Sequence, residues 1–160
     1  VSDNLELFAA EEQDHKTFRA LSLWQPHAQA IALGIKLYET RSWSTSYRGP
    51  MVVHAAKKAF KHKDYPPEYF QEAGMRLSRA GCPVYALRYG EALCIVDLVD
   101  CVPTESIRSM DIGHRFWGDF TPGRFAFKLQ NVRKIWPPIA VTGRQGFFSA
   151  DIPNTNEALR

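Results

Sequence analysis

Cysteine is scarce in this chain. Only Cys82, Cys94 and Cys101 occur, an odd number with no Cys-x-x-Cys pair. That argues against a disulfide framework and against cysteine-bound zinc. The expectation is reduced, mostly buried thiols in a cytoplasmic protein. Long apolar runs are missing too, and none approaches the ~18–20 residues of a membrane-spanning helix. The acidic start lacks the basic and apolar stretches of a signal peptide. No internal repeat and no low-complexity segment is present. Four motifs are absent: Gly-x-x-x-x-Gly-Lys-Ser/Thr, Gly-x-Gly-x-x-Gly, Gly-x-Ser-x-Gly and His-Glu-x-x-His. Nucleotide-fuelled, redox and zinc-protease readings therefore lose their usual support. No metal and no cofactor is expected.

What remains is ordinary in bulk, with 45% hydrophobic and 23% charged residues. Over 160 residues that suits one globular domain with a real core. The charge is unevenly spread. Residues 1–15 carry five acids and no Lys or Arg, whereas 16–150 hold nineteen basic and ten acidic residues, a net of +9. The densest stretch, 36–63, sets Lys36, Arg41, Arg48, Lys57, Lys58, Lys61 and Lys63 against Glu39 alone. Clustered positive charge of this kind is the footprint of a polyanion binder. The split also raises the hypothesis that the acidic leader screens the basic region until a polyanion displaces it.

The pattern divides into a leader (1–17), a domain (18–150) and a C-terminal tail (151–160). Phe18 to Trp24 suits a short strand. Pro26 fits a first helical turn, Ala28 to Leu33 reads as a short apolar helix, and Gly34 ends it. Lys36 to Trp43 reads as extended, and Met51 to Ala55 as an apolar, central strand. Lys57 to Lys63 is a basic loop or helix start. Tyr69, Ala73 and Leu77 recur at helical spacing within Pro66 to Ala80. Glu91 to Val102 is a long β-branched run and reads as a strand. Residues 104–123 look irregular, and Arg124 to Val132 alternates as a strand. Five or six strands and two helices without a βαβ rhythm predict an α+β, mainly β fold. The expected form is a small mixed β-barrel, closed or nearly so, with flanking α-helices.

One stretch carries more than pattern. Ser22-Leu23-Trp24-Gln25-Pro26 is followed by Gly-x-Lys-x-x-Glu-x-Arg at Gly34, Lys36, Glu39 and Arg41. Ser42-Trp43, Tyr47-Arg48-Gly49, His54-Ala55 and the run Leu93 to Cys101 continue it. Together these closely resemble the ASCH domains (activating signal cointegrator homology), over roughly residues 19–148. The resemblance implies a PUA-like barrel with a cleft that accepts RNA or single-stranded DNA, or a nucleoside.

The residues have chemistry suited to such a cleft. Lys36 holds a phosphate as a point charge, or serves as a base if burial lowers its pKa. Arg41 grips phosphate or a base edge with its planar fork. Glu39 accepts from an exocyclic amine, or forms a plain structural ion pair. On a regular strand Lys36 and Thr40 face one side and Glu39 and Arg41 the other, so a kink would be needed to unite them. Trp24 and Trp43 offer stacking faces, or are core. Gln25 either presents an amide at a helix start or caps it. Arg48, Lys57 and Lys58 suit backbone-phosphate contacts. Arg144 and Gln145, between two glycines, suit a loop at the cleft edge. His54, in an apolar strand, reads as a satisfied core histidine rather than a catalytic one.

Two enzymatic alternatives follow from the resemblance. One ASCH branch is similar to amidohydrolases that deacetylate acetylcytidine with Lys, Thr and Glu. Lys36 matches its Lys, but Glu39 stands at the Thr nucleophile's position, which is a departure from that mechanism. Another branch resembles metal-independent ribonucleases, for which Lys36, Glu39 and Tyr47 are the catalytic candidates. A protein-interaction adaptor is a third reading. The leading expectation is a stand-alone domain that binds nucleic acid or a nucleoside in a basic cleft.

Overall fold

A computed structural model describes residues 14–154. Six strands form one mixed sheet: β1 (His15–Leu23), β2 (Tyr38–Arg41), β3 (Gly49–Ala55), β4 (Glu91–Pro103), β5 (Phe125–Ala140) and β6 (Phe147–Pro153). Their spatial order is β2-β5-β4-β3-β1-β6. β1 and β3 run parallel, and every other pair is antiparallel. Among the described residues three α-helices accompany the sheet, α1 (His27–Ala32), α2 (Pro67–Arg79) and the single turn α3 (Ile112–Arg115), with three short 3-10 turns besides.

Strand alternation sorts the apolar residues onto two faces. Leu21, Leu23, Met51, Val53, Val96, Leu98, Phe127 and Leu129 gather on one face, where Ala28, Ile31 and Ala32 of α1 join them. Phe18, Ala20, Val52, Ile95, Ile135 and Ile152 gather on the other. A third cluster lies under α2, built on Phe60, Ala73, Leu77, Leu87 and Trp117. Ala73 and Leu77 are wholly buried, as their helical spacing predicts. Cys94 is buried in the first cluster, and burial pushes its thiol up to about 12, which leaves it inert.

The sheet is not closed by hydrogen bonds. β2 and β6 are its free edges, and aromatic side chains bridge the ends instead. The Trp43 ring meets Phe127 at 5.2 Å and Phe147 at 5.3 Å, both edge-on, and Phe127 stacks on Phe147 at 6.4 Å. The expected barrel is thus a curled, open sheet with an aromatic seam.

Three boundaries differ from the sequence reading. β1 begins at His15 and β6 runs to Pro153, because each supplies the other's ladder partners from His15↔Pro153 to Leu21↔Phe147. Part of the expected leader and tail therefore belongs to the sheet, while residues 1–13 and 155–160 lie outside the described residues. β5 extends through Pro137 and Pro138 to Ala140. That is tolerable because β2 covers only Phe125 to Lys128 of β5, and the far half pairs on one side, with β4. The stretch 104–123 holds α3, whose first turn is capped by the Asp111 carboxylate accepting from Gly113 N–H at 2.6 Å.

Candidate nucleic-acid interface

β1 and β3 both end, at Leu23 and Ala55, on a two-lobed cleft. The first lobe, about 470 Å³, is walled by His27, Glu39, Tyr69, Phe116, Asp119 and Arg124. The second, about 710 Å³, is walled by Trp43, His54, Lys57, Gly143, Arg144 and Gln145. Ser22, Trp24 and Arg41 belong to both and form the waist.

Charge is organised around Glu39. Lys36 precedes β2, so strict strand alternation does not govern it, and it lies on the same side as Glu39. Its Nζ donates to the Trp117 carbonyl at 2.6 Å and stands 3.2 Å from Glu39 Oε1. Oε1 also accepts from Thr40 N–H at 3.1 Å. Oε2 accepts from Arg41 Nε at 3.2 Å, and Arg41 Nη2 donates to the Ser22 carbonyl at 3.0 Å. Burial by itself pushes the Glu39 carboxyl up, but the Lys36 and Arg41 cations outweigh it and hold it below its ordinary value. Burial lowers Lys36, and Glu39 partly restores it. The result is a row of +, − and + with one net positive charge. That charge is presented at the waist by Arg41, whose fork the carboxylate holds in place.

The segment 117–124 laces onto β2 and completes the first lobe. Asp119 N–H donates to Thr40 Oγ1 at 3.0 Å, and Arg124 Nη2 to the Thr40 carbonyl at 3.3 Å. His27 faces this lobe with its pKa lowered to about 4, chiefly by burial and then by Lys36, so it is neutral. Its Nδ1 and the Arg124 Nε are buried without a hydrogen-bond partner. His27 Nδ1 thus stands unused in the wall of the cleft, where an unpaired polar atom is costly, while the Arg124 Nε keeps only an ion-pair contact of 3.5 Å with Asp119 Oδ2.

Residues 21–139 match the family model of the ASCH domain. The chain belongs to the ASCH domain family. A search of curated proteins finds no match. Among solved structures the chain is similar to an ASCH protein from Zymomonas mobilis, at 16% identity and a TM-score of 0.44, over 77% of this chain and 73% of that one. ASCH domains are generally thought to bind RNA or to act on nucleic acids.

In this ASCH domain the sequence-predicted residues fall into three groups. Trp24, Glu39, Arg41, Trp43, Lys57, Arg144 and Gln145 all line the cleft. Trp24 is 56% exposed, with Lys58 Nζ over its ring at 3.7 Å. Trp43 is half core, because the aromatic seam claims its edges.

Lys36 and Gln25 lie behind the cleft rather than in it. Lys36 is 0% exposed and lines neither lobe, its Nζ held by the Trp117 carbonyl and Glu39. Gln25 is also buried, its amide donating to the Arg88 carbonyl at 2.9 Å and accepting from Gln29 N–H at 2.9 Å. It thereby satisfies one free N–H in the first turn of α1.

Tyr47 and Arg48 line neither lobe. The Tyr47 hydroxyl donates to the Pro50 carbonyl at 2.5 Å, and its ring packs beneath the Arg19 guanidinium at 4.3 Å. Arg48 donates to the Thr45 and Tyr47 carbonyls and pins the turn before β3. Lys36, buried, and Tyr47 line neither lobe, so the cleft does not bring these two ribonuclease candidates together.

His27, Asp119, Arg124 and the Tyr69–Phe116–Trp117 wall escaped the sequence reading. Except for His27, which follows β1 directly, they lie tens of residues from β1 and β2 in sequence, and no local spacing announces them. Among the described residues no three or more of His, Cys, Asp and Glu cluster as metal ligands, and no helix is long and apolar enough to cross a membrane.

Proposed function

We propose that this ASCH domain binds a single nucleic-acid strand or a nucleoside in the two-lobed cleft. The observation that carries the reading is the waist, where an exposed indole and an Arg fork held by a carboxylate lie between two lobes. A base stacks on Trp24 and enters the first lobe, where His27 Nδ1 accepts and Arg124 Nε donates. Stacking of this kind contributes about 1–3 kcal/mol per base. The sugar-phosphate backbone runs along the second lobe, past Arg41, Lys57 and Arg144. Lys58 leaves the Trp24 face to a base and turns to phosphate. Lys36 acts from behind by keeping Glu39 ionised and Arg41 in position. The burial of Lys36 and the remoteness of Tyr47 give no support to hydrolysis by those two residues.

The test is retardation of labelled single-stranded RNA, single-stranded DNA and duplex, in EDTA, on paired native and denaturing gels. A retarded, intact single strand is expected from the wild type. Arg41→Ala abolishes retardation, and Arg41→Lys, which keeps charge but not the fork, restores it only in part. Undiminished retardation by a folded Arg41→Ala protein would refute the assigned cleft.

A further inference from the structure

The proposed function leaves one polar pair, a half-buried serine and a buried histidine, unused. Ser22 and His54 are direct partners in the parallel register of β1 and β3, so their side chains leave the same face of the sheet. Ser22 Oγ lies 2.9 Å from His54 Nδ1, and His54 Nε2 lies 2.8 Å from the Val141 carbonyl. A carbonyl only accepts, so Nε2 carries the hydrogen and donates to it. Nδ1 is then the lone-pair nitrogen, and the Ser22 hydroxyl donates to it. Phe148 meets the imidazole edge-on at 5.8 Å and fixes its plane.

Two further observations separate this pair from a buried strand tie. Both residues line the second lobe, and Ser22 is only half-buried. The residue packed over them is Gly143, where an added Cβ would stand 2.6 Å from His54 Cε1, 2.9 Å from Nδ1 and 3.2 Å from Ser22 Oγ. Any side chain at 143 would press on the ring and the hydroxyl, so glycine is what allows the loop to cross the pair without parting it. Burial lowers the His54 pKa, the Val141 and Gly90 carbonyls partly oppose this, and Lys57 adds to it. The imidazole is therefore a free base at neutral pH.

We propose that Ser22 and His54 are a nucleophile and its general base, acting on an acyl ester whose carrier bears phosphate. Ser22 Oγ forms a bond to the ester carbonyl carbon while its proton passes to His54 Nδ1. The carbonyl π pair moves onto oxygen, beside the Arg41 guanidinium that already bonds the Ser22 main chain. The tetrahedral species collapses, the C–O bond to the alcohol breaks, and the alcohol oxygen takes the proton from Nδ1. Water then attacks the acyl-serine, gives one proton to Nδ1, and regenerates the Ser22 hydroxyl as the acid departs. Ester and water become acid and alcohol, with no other reactant. In the imidazolium stage the Nε2–H bond to Val141 steadies the cation. The phosphate-bearing carrier follows from Lys57 and Arg144 in the same lobe, and that part alone rests on the proposed function.

The test uses a fluorophosphonate reporter and no nucleic acid, so the failure of strand binding and the failure of this proposal are separate outcomes. Attack at phosphorus expels fluoride and leaves a stable adduct, which peptide mass mapping assigns to a residue. One adduct on Ser22 is expected, with the exposed Ser44 and Ser106 unlabelled. His54→Gln slows labelling about a hundred-fold or more, the least that a positioned general base contributes. Gly143→Ala, which pushes the imidazole from the hydroxyl, slows it as well, and circular dichroism shows that the variants remain folded. No adduct on Ser22 in the wild type, or labelling no faster than at Ser44, overturns the proposal whatever the variants do. An equal rate in a folded His54→Gln protein overturns it too.

Discussion

Salt gives a quantitative handle on the second lobe. Lys57, Lys58 and Arg144 are exposed, and Arg41 reaches the same space from the waist. If each neutralises one phosphate of a single strand, the logarithm of affinity falls against the logarithm of salt with a slope of about −0.7 × 4, or roughly −2.8. Raising salt from ~50 to ~200 mM then weakens binding about fifty-fold. Replacing Lys57 and Arg144 together by Ala leaves two contacts, a slope of roughly −1.4, and about a seven-fold loss over the same range. Exposed substitutions of this kind change stability by no more than about 0.5 kcal/mol, so folding does not confuse the readout. Fluorescence anisotropy with a labelled single-stranded RNA, titrated at four salt concentrations, measures both slopes. A wild-type slope near zero, or a slope unmoved by the double substitution, would refute the placement of the backbone in this lobe.

Other consequences follow from the same geometry. Lys36→Met keeps the buried stem but strips Glu39 of one of its two cations, and urea unfolding should show a loss of about 3–5 kcal/mol. His27 is neutral in the folded state, with a pKa near 4 against 6.5 when unfolded. Protons then favour the unfolded chain, and stability falls as pH drops from 6.5 towards 4. Thermal unfolding across that window should be visibly flatter for His27→Gln than for the wild type. Trp24→Ala should leave the melting temperature unchanged and weaken strand binding by about 1–3 kcal/mol, read in the same anisotropy assay.

Periodicity alone disclosed much of the architecture. The alternation of Leu21 and Leu23 with Ala20 and Ser22, the Ala73–Leu77 spacing and the β-branched run from Glu91 all name their elements and buried faces. Gly34, at φ +75°, ends α1 as its position suggested. Open closure was not legible, because nothing local states whether β2 and β6 exchange hydrogen bonds or meet through Trp43. The site was legible as a set of positions and less so as roles. Lys36 and Arg41 read alike as cations in sequence, yet one sits against the Trp117 carbonyl in the core and the other at the waist. Burial decides that difference, and it depends on a segment eighty residues away. His54 shows the same limit. Its apolar strand predicts a satisfied histidine, and both nitrogens are indeed bonded, but the identity of the second partner, Ser22, needs the parallel register.

The pairing of β1 with β6 also brings Asp14 and Asn154 side by side. Asn154 N–H donates to the Asp14 carbonyl at 2.8 Å, and the Asn154 amide to the Asp14 carboxylate at 2.7 Å. Both ends of the described chain leave from one spot, at the foot of β1. The cleft lies at its head, nine residues away, or roughly 30 Å along a strand. The unit is therefore suited to insertion: a host loop can be cut, the two ends of this domain spliced in side by side, and the host fold left unstretched. A cargo or surface anchor grafted at that spot stands clear of the ligand, and a short linker across Asp14 and Asn154 allows new termini to be opened elsewhere.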